Sequence, residues 1–230
     1  LNNQIFKMKT YFTSTIFRKT IASLSGVFLV LFLLGHLLGN LQLFIAGEAG
    51  QKQFNEYAFF MTTNPLVKTL SLVTYTSIIL HIILTFYLTI QSRNARPVKY
   101  AVSSGTSNSS WASNNMAILG TFLLIFLVIH LKSFWYEMHF GSVKMDPWGN
   151  KDLHSVTVTA FHELWYVLIY LISMIALGFH LKHGLESAFQ TLGVRTRKYS
   201  SAIKNLTTGL VLLIPIIFAS IPIFIYIKSI

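Results

Sequence analysis

The sequence predicts an all-α membrane protein, five transmembrane helices gathered in a bundle, and three observations predict it. The 230 residues are 53% hydrophobic and only 11% charged, where an average soluble protein is about 25% charged. Five apolar runs each reach the roughly 20 residues that a bilayer crossing needs. No repeat, strand-like alternation or polar domain interrupts them, so residues 1–230 read as a single transmembrane domain.

The first run, Ile21–Phe44, follows the basic pair Arg18-Lys19 and carries His36 in the string GHLLGN. The second, Val67–Ile90, holds His81, and the third, Met116–Trp135, holds His130. The fourth, Trp165–Leu185, holds His180 and runs on through the basic string HLKHGLESAFQTLG. The fifth, Leu206–Ile227, has no histidine but contains Pro215 and Pro222. Prolines are tolerated inside a membrane where neighbouring helices satisfy the freed carbonyls.

The connections carry weaker signals. Gly47–Pro65 intersperses Phe54, Tyr57, Phe59 and Phe60 with polar residues, which suits a segment lying in the membrane interface. Ser104–Asn115 is a polar linker, and the Glu137–Glu163 loop carries the turn signal Asp146-Pro147-Trp148-Gly149. The opening LNNQIFKMKTYF lacks the short apolar core and small-residue cleavage site of a signal peptide, so it is expected to be retained.

Orientation follows from the basic residues, because Lys and Arg accumulate on the cytoplasmic side. The N-terminal segment, the Gln91–Asn115 loop and the Lys182–Lys204 loop hold 12 of the 18 Lys and Arg, and the opposite side holds 6. Six of the seven acids also fall on that opposite side, Glu186 being the exception. The N-terminus is therefore expected in the cytoplasm and the C-terminus outside. The net charge of +11 marks topology rather than nucleic-acid binding, since the basic residues lie between apolar runs and form no reading surface. There are no cysteines, which excludes disulfides, iron–sulfur ligation, thiolate zinc sites and covalently attached c-type haem.

An ionisable ring inside hydrocarbon is costly and marks function by default; four spans carry one each. His36 and His130 lie 15 and 14 residues into runs that start on the cytoplasmic side, about 21–22 Å at 1.5 Å per residue. His81 and His180 lie 14 and 15 residues into runs that start outside, again about 21–22 Å. In a core about 30 Å thick, the four fall into two layers of two, His36 with His130 and His81 with His180. Two imidazoles at one depth on facing helices suit a six-coordinate, non-covalent b-type haem, with no open iron position and hence electron transfer rather than oxygen chemistry. Gly35 and Gly39 beside His36, and Gly178 and Gly184 around His180, would admit a flat ring. Haem propionates need cationic or hydrogen-bonding partners: Arg18, Lys19, Arg93, Lys182 and His183 are the candidates for the inner layer, Asn40, Gln42 and Lys132 for the outer. His139, His154 and His162 fall in the outer loop or at its edge and are read as structural or surface residues.

With these strings together, the chain resembles the single-chain, five-helix, di-haem cytochrome b subunit of succinate:quinone oxidoreductases, the succinate dehydrogenases and fumarate reductases. The resemblance rests on GHLLGN, ILHIIL, the ARPVKY and SSWAS segments, VIHLKSFW and FHLKHGLESAFQTLG, and runs from about Arg18 to the last span. It implies two haems b, a proximal one on His81 and His180 near the cytoplasm and a distal one on His36 and His130. It implies a flavoprotein subunit with FAD and an iron–sulfur subunit as partners, a bacterial cytoplasmic membrane as location, and a quinone, usually menaquinone, as electron acceptor. The dicarboxylate chemistry would lie on another subunit. The family places quinone near the distal haem, where a carboxylate could exchange protons with it, and Glu56 is the candidate. Where some relatives carry a glutamate two residues before the fourth haem histidine, this chain has Gly178, and where many have an arginine before the third span, it has Asn114 and Asn115. Two alternatives stand beside this reading: the cytochrome b of a hydrogenase or formate dehydrogenase, and a haem-free transporter or channel using histidines as relays. A transporter should show repeat symmetry and broken helices at the midplane.

Overall fold

The computed structural model describes residues 14–95 and 111–230. The opening segment, ARPVKY beyond Ala95, most of the Ser104–Asn115 linker and the first two residues of SSWAS lie outside the described residues. Five helices are long and apolar enough to cross a membrane: Thr15–Phe44, Pro65–Asn94, Met116–Phe140, Leu164–Thr191 and Ser200–Ser229. Each predicted run is present and extends by up to two turns, because the flanking polar residues continue the helical hydrogen bonding into the interface.

Helix α1 (Thr15–Asn40) begins where the Ser14 hydroxyl accepts from the Phe17 N–H at 3.1 Å, and passes into a 3₁₀ turn over Leu41–Phe44. Helix α2 (Gly47–Thr63) is the interfacial segment, and α3 (Pro65–Asn94) follows directly, with Asn64 as its side-chain cap and Pro65 opening its first turn. After the short α4 (Trp111–Asn114) comes α5 (Met116–His130), which continues as a π-helical stretch, Leu131–Tyr136, into α6 (Glu137–Phe140). Helix α7 (Leu153–Phe161) leads into α8 (Leu164–Thr191), and α9 (Ser200–Ser229) closes the chain.

Helix α8 is the axis of the bundle and the most buried of the five spans. It packs against α9, α1 and α5, while α3 packs along the far side of α1. The core lies where α1, α8 and α9 meet: Val30, Leu181, Leu185 and Ile214 form one part, and Leu37, Val167, Tyr170, Ile221 and Ile225 belong to the other. Large apolar side chains such as Leu72, Ile83, Ile125 and Leu213 point outward, as a surface meant for lipid requires. Both prolines of α9 are buried and the helix is continuous through them. The carbonyl of Val211, which loses its partner at Pro215, lies 3.7 Å from where a Cβ on Gly178 would stand.

The Glu137–Glu163 loop, at the far end from the start of α1, carries the expected turn and also contains α7, which packs on α2 to form a cap. Asn55 on α2 is fully buried. Its amide nitrogen donates to Asp146 at 3.1 Å and Asp152 at 2.9 Å, and its oxygen accepts the His154 N–H at 2.9 Å. The predicted Asp146 turn is formed: one Asp146 oxygen accepts the N–H groups of Trp148 and Asn150, and Gly149 sits at φ 86°, a conformation open to glycine. Asp152 caps α7 through the Ser155 N–H and also accepts from Gln51 at 2.7 Å. Trp148 lies beneath the Lys52 ammonium, 5.7 Å from ring centre to nitrogen.

Burial pushes the two carboxyls up, but the hydrogen bonds they accept outweigh it, from Asn150, Asn55 and Trp148 on Asp146 and from Ser155, Asn55 and Gln51 on Asp152, so both sit below the ordinary aspartate value. A lowered folded-state pKa contributes stability above the unfolded value and loses it as pH falls through the folded one. The cap should thus hold at neutral pH and loosen progressively below about pH 4. Asn55→Ala, which removes one buried donor from each carboxylate and leaves the His154 N–H without its acceptor, should cost about 1–3 kcal/mol. Protease cleavage of the 141–152 loop, followed against pH in wild type and variant, checks both; a loop equally protected in the variant would show that the network does not hold the cap.

Candidate cofactor site

The structure brings the four intramembrane histidines together in the two pairs that depth arithmetic predicts. The rings of His36 and His130 are 5.7 Å apart, centre to centre, and inclined by 88°. Those of His81 and His180 are 6.3 Å apart and inclined by 71°. Each pair joins helices that have no extended backbone packing of their own: α1 with α5, and α3 with α8. The side chains therefore converge across gaps held open by the α1–α3, α1–α8 and α5–α8 contacts.

Three helices independently give the layer spacing. On α1, His36 stands 10 residues beyond Gly26, which touches His81; on α5, His130 stands 10 beyond Gly120, which neighbours His180. On α8, His180 stands 10 beyond Tyr170, the partner of His130. Ten residues of helix is about 15 Å.

Hydrogen bonds at Nδ1 aim two of the rings. His81 Nδ1 lies 3.2 Å from the Ala22 carbonyl and 3.3 Å from the Ser25 hydroxyl. A carbonyl only accepts, so this nitrogen carries the proton and Nε2 keeps its lone pair. His130 Nδ1 lies 2.9 Å from the Tyr170 hydroxyl, itself 3.3 Å from that of Tyr166. Their partners are less constrained. Asn40 donates to the His36 carbonyl at 2.7 Å and meets the ring nitrogen only at 3.5 Å, while buried His180 Nδ1 has no hydrogen-bond partner among the described residues. Each layer thus pairs an imidazole held firmly at Nδ1 with one whose Nδ1 is weakly held or unpartnered, and His36 is further packed on Phe32, stacked at 5.5 Å between ring centres.

These residues fit a haem better than a bare ion. Among the described residues no three His, Cys, Asp or Glu cluster as a metal site, so each layer offers two nitrogens and the remaining ligands must come from the bound group. A nitrogen about 2 Å from a metal, on each side of it, would place the two ring centres about 6.3 Å apart, close to the observed 5.7 and 6.3 Å. An Nδ1 bonded to carbonyl or hydroxyl is also the outer-shell arrangement that orients a ligating histidine.

The other candidates are placed differently. Arg18 reaches the end of α3, its guanidinium 3.1 Å from the Tyr87 hydroxyl and stacked over that ring at 4.6 Å. Lys19, Arg93 and Lys182 are exposed near the same end, and His183 is half-buried one turn beyond His180. Asn40 turns to His36, Gln42 donates to the Gly39 carbonyl at 3.2 Å, and Lys132 pairs with Glu137 at 3.0 Å. Glu56 is exposed on the cap, 3.9 Å from Lys52. The glycines divide as well. Gly39 accommodates the Tyr57 ring, which a Cβ would overlap, and Gly178 faces α9. Gly35 and Gly184 border open space.

Sequence reasoning missed Ser25, Gly26 and Tyr170. The signal was available: Ser25 lies about 6 Å into the first run and Tyr170 about 8 Å into the fourth, the depths of His81 and His130. The π-helical stretch directly after His130, a feature that often marks functional sites, left no such signal. It sets Trp135 to donate to Tyr75 at 2.8 Å, joining α5's continuation to α3.

Comparison of the chain with protein-family models, with curated proteins and with solved structures finds no match.

A Cβ on Gly26 would stand 3.1 Å from His81 Cε1, so Gly26→Leu should push the ring off its Ala22 and Ser25 partners. Gly120→Ala, with 3.8 Å to His180, should be tolerated. Histidine side-chain NMR of labelled protein would show the His81 Nδ1 signal displaced in the first variant and unchanged in the second; an unmoved signal in both would contradict the close contact.

Proposed function

We propose that the chain is a di-haem electron-transfer subunit that anchors a respiratory succinate:quinone oxidoreductase in a bacterial cytoplasmic membrane. One observation carries this reading: two near-perpendicular imidazole pairs at haem-ligating separation, about 15 Å apart along three helices. The sequence resemblance assigns the pairs, His81 and His180 proximal, His36 and His130 distal. The bias of basic residues supports an N-terminus in the cytoplasm, which sets the proximal layer near the flavoprotein and iron–sulfur subunits and the distal layer near the outer face.

When bound, each haem b supplies a one-electron iron couple. The chain's residues do the rest. Two histidines would hold each haem through Nε2, His81 with His180 and His36 with His130, and a group held on both sides in this way serves electron transfer rather than oxygen chemistry. Ala22, Ser25 and Tyr170 hold the protons on the anchored imidazoles and orient them. The apolar walls exclude water, and with glycine rather than an acid at position 178, no proton need accompany electrons between the layers. Electrons would arrive from the iron–sulfur subunit and leave to quinone, menaquinone in the branch the sequence resembles, with Glu56 as the candidate proton donor at the outer end. Arg18, held by Tyr87 at the amino end of α1, and neighbouring Lys19, Arg93, Lys182 and His183 are the propionate candidates for the proximal layer. Because such transfer crosses most of the membrane, turnover should respond to membrane potential.

Replacing His81 or His180 by alanine should remove one and the same component of the reduced-minus-oxidised haem spectrum, and replacing His36 or His130 the other. If His81→Ala and His180→Ala removed different components, the pairing would be refuted. Succinate-dependent reduction of the remaining haem should persist when only the distal pair is altered.

A further inference from the structure

Where α8 hands over to α9, the chain forms a shallow basic recess and an apolar groove whose lining residues alternate along the same stretch, and neither part belongs to the histidine layers. The turn is fixed: Gly193, at φ 71°, ends α8, and Val194 donates back to the Phe189 carbonyl at 3.0 Å. A recess of about 250 Å³ is lined by Gln190, Arg195, Thr196, Arg197 and Ser200. Every one of these side chains can donate a hydrogen bond, and no carboxylate lines it. Among the described residues neither Arg195 nor Arg197 has an ion-pair partner.

Beside it lies a groove of about 490 Å³ lined by Val194, Tyr199, Ala202, Ile203 and Leu206. From Tyr199 to Leu206 it descends about 10 Å along α9, into one of the helices long and apolar enough to span a membrane. Lys198 lies over the Tyr199 ring at 5.2 Å, keeping a third cation at the junction of the two.

We infer that this paired recess and groove is a binding site for an anionic phospholipid, with its phosphate held by Arg195 and Arg197 and an acyl chain laid against Ala202, Ile203 and Leu206. Guanidinium groups are the side chains best matched to phosphate oxygens, and basic pockets at the ends of spans recognise acidic headgroups. A free phosphate would use only the recess. A soluble protein would not need an apolar channel that points into the bilayer. The site stands whether or not the histidine layers hold haem.

The test is native mass spectrometry of the full chain in detergent, titrated with phosphatidylglycerol, phosphatidylcholine or inorganic phosphate. Phosphatidylglycerol should be retained in preference to phosphatidylcholine, and millimolar inorganic phosphate should not displace it. Arg195→Gln with Arg197→Gln should weaken retention about 30-fold. Ala202→Trp, which keeps the charge and fills the groove, should weaken it too, and Lys182→Gln should leave it unchanged. Equal retention of both lipids, displacement by inorganic phosphate, or full retention in the arginine double variant would each overturn the proposal. So would a double variant that keeps its lipid but loses association with soluble subunits.

Discussion

A polar ring placed in hydrocarbon must find its partners inside the protein, because lipid offers none. This chain places four imidazoles under that constraint, and much of the bundle follows from how they are met. Each pair spans a gap between helices that do not otherwise pack, so the contacts that close the bundle, α1 with α3, α1 with α8 and α5 with α8, act as the frame of two sites. The small residues of α1 serve the same end. Ala22 offers a carbonyl, Ser25 a hydroxyl and Gly26 the space that lets the His81 ring approach. At the other layer, Tyr170 combines a buried aromatic ring packed on Phe126 and Phe161 with a hydroxyl turned to His130.

The two ends of the bundle are built on different physics. One end is capped by α2 and α7, joined through Asn55 and two aspartates whose burial is offset by the hydrogen bonds they accept. Tyr57 of the cap rests against Gly39 of α1, which ties the cap to the segment carrying His36. At the other end, Arg18 stacks on Tyr87 while Lys19, Arg93 and Lys182 stand exposed. The bundle is thus asymmetric, with a hydrogen-bonded polar cap at one end and exposed cations at the other.

The spans and the pairing of the histidines were legible in the sequence because both depend on one-dimensional quantities, apolar length and residues counted from a boundary. His36, His81, His130 and His180 could be sorted into layers without any knowledge of helix rotation. What was not legible depends on rotation or on distant pairing. Gly39 and Gly178 stand near the histidines in sequence, yet they face Tyr57 and α9. Asn55 looked like any polar residue of an interfacial helix, since its partners lie 91 and 97 residues away. Helix α7 hid in a loop whose Asp146 turn was plain, because nine residues give too little periodicity to stand out. The π-helical stretch after His130 arises from tertiary packing and has no sequence mark comparable to a proline or a cap.

The central claim is that two imidazole pairs hold two haems, and haem content per chain measures it directly. Pyridine haemochrome quantification of the purified protein, set against protein mass by amino-acid analysis, should give two non-covalent haems b per chain, both extractable into acidified organic solvent. One haem per chain would break the two-layer account, and none would contradict it outright.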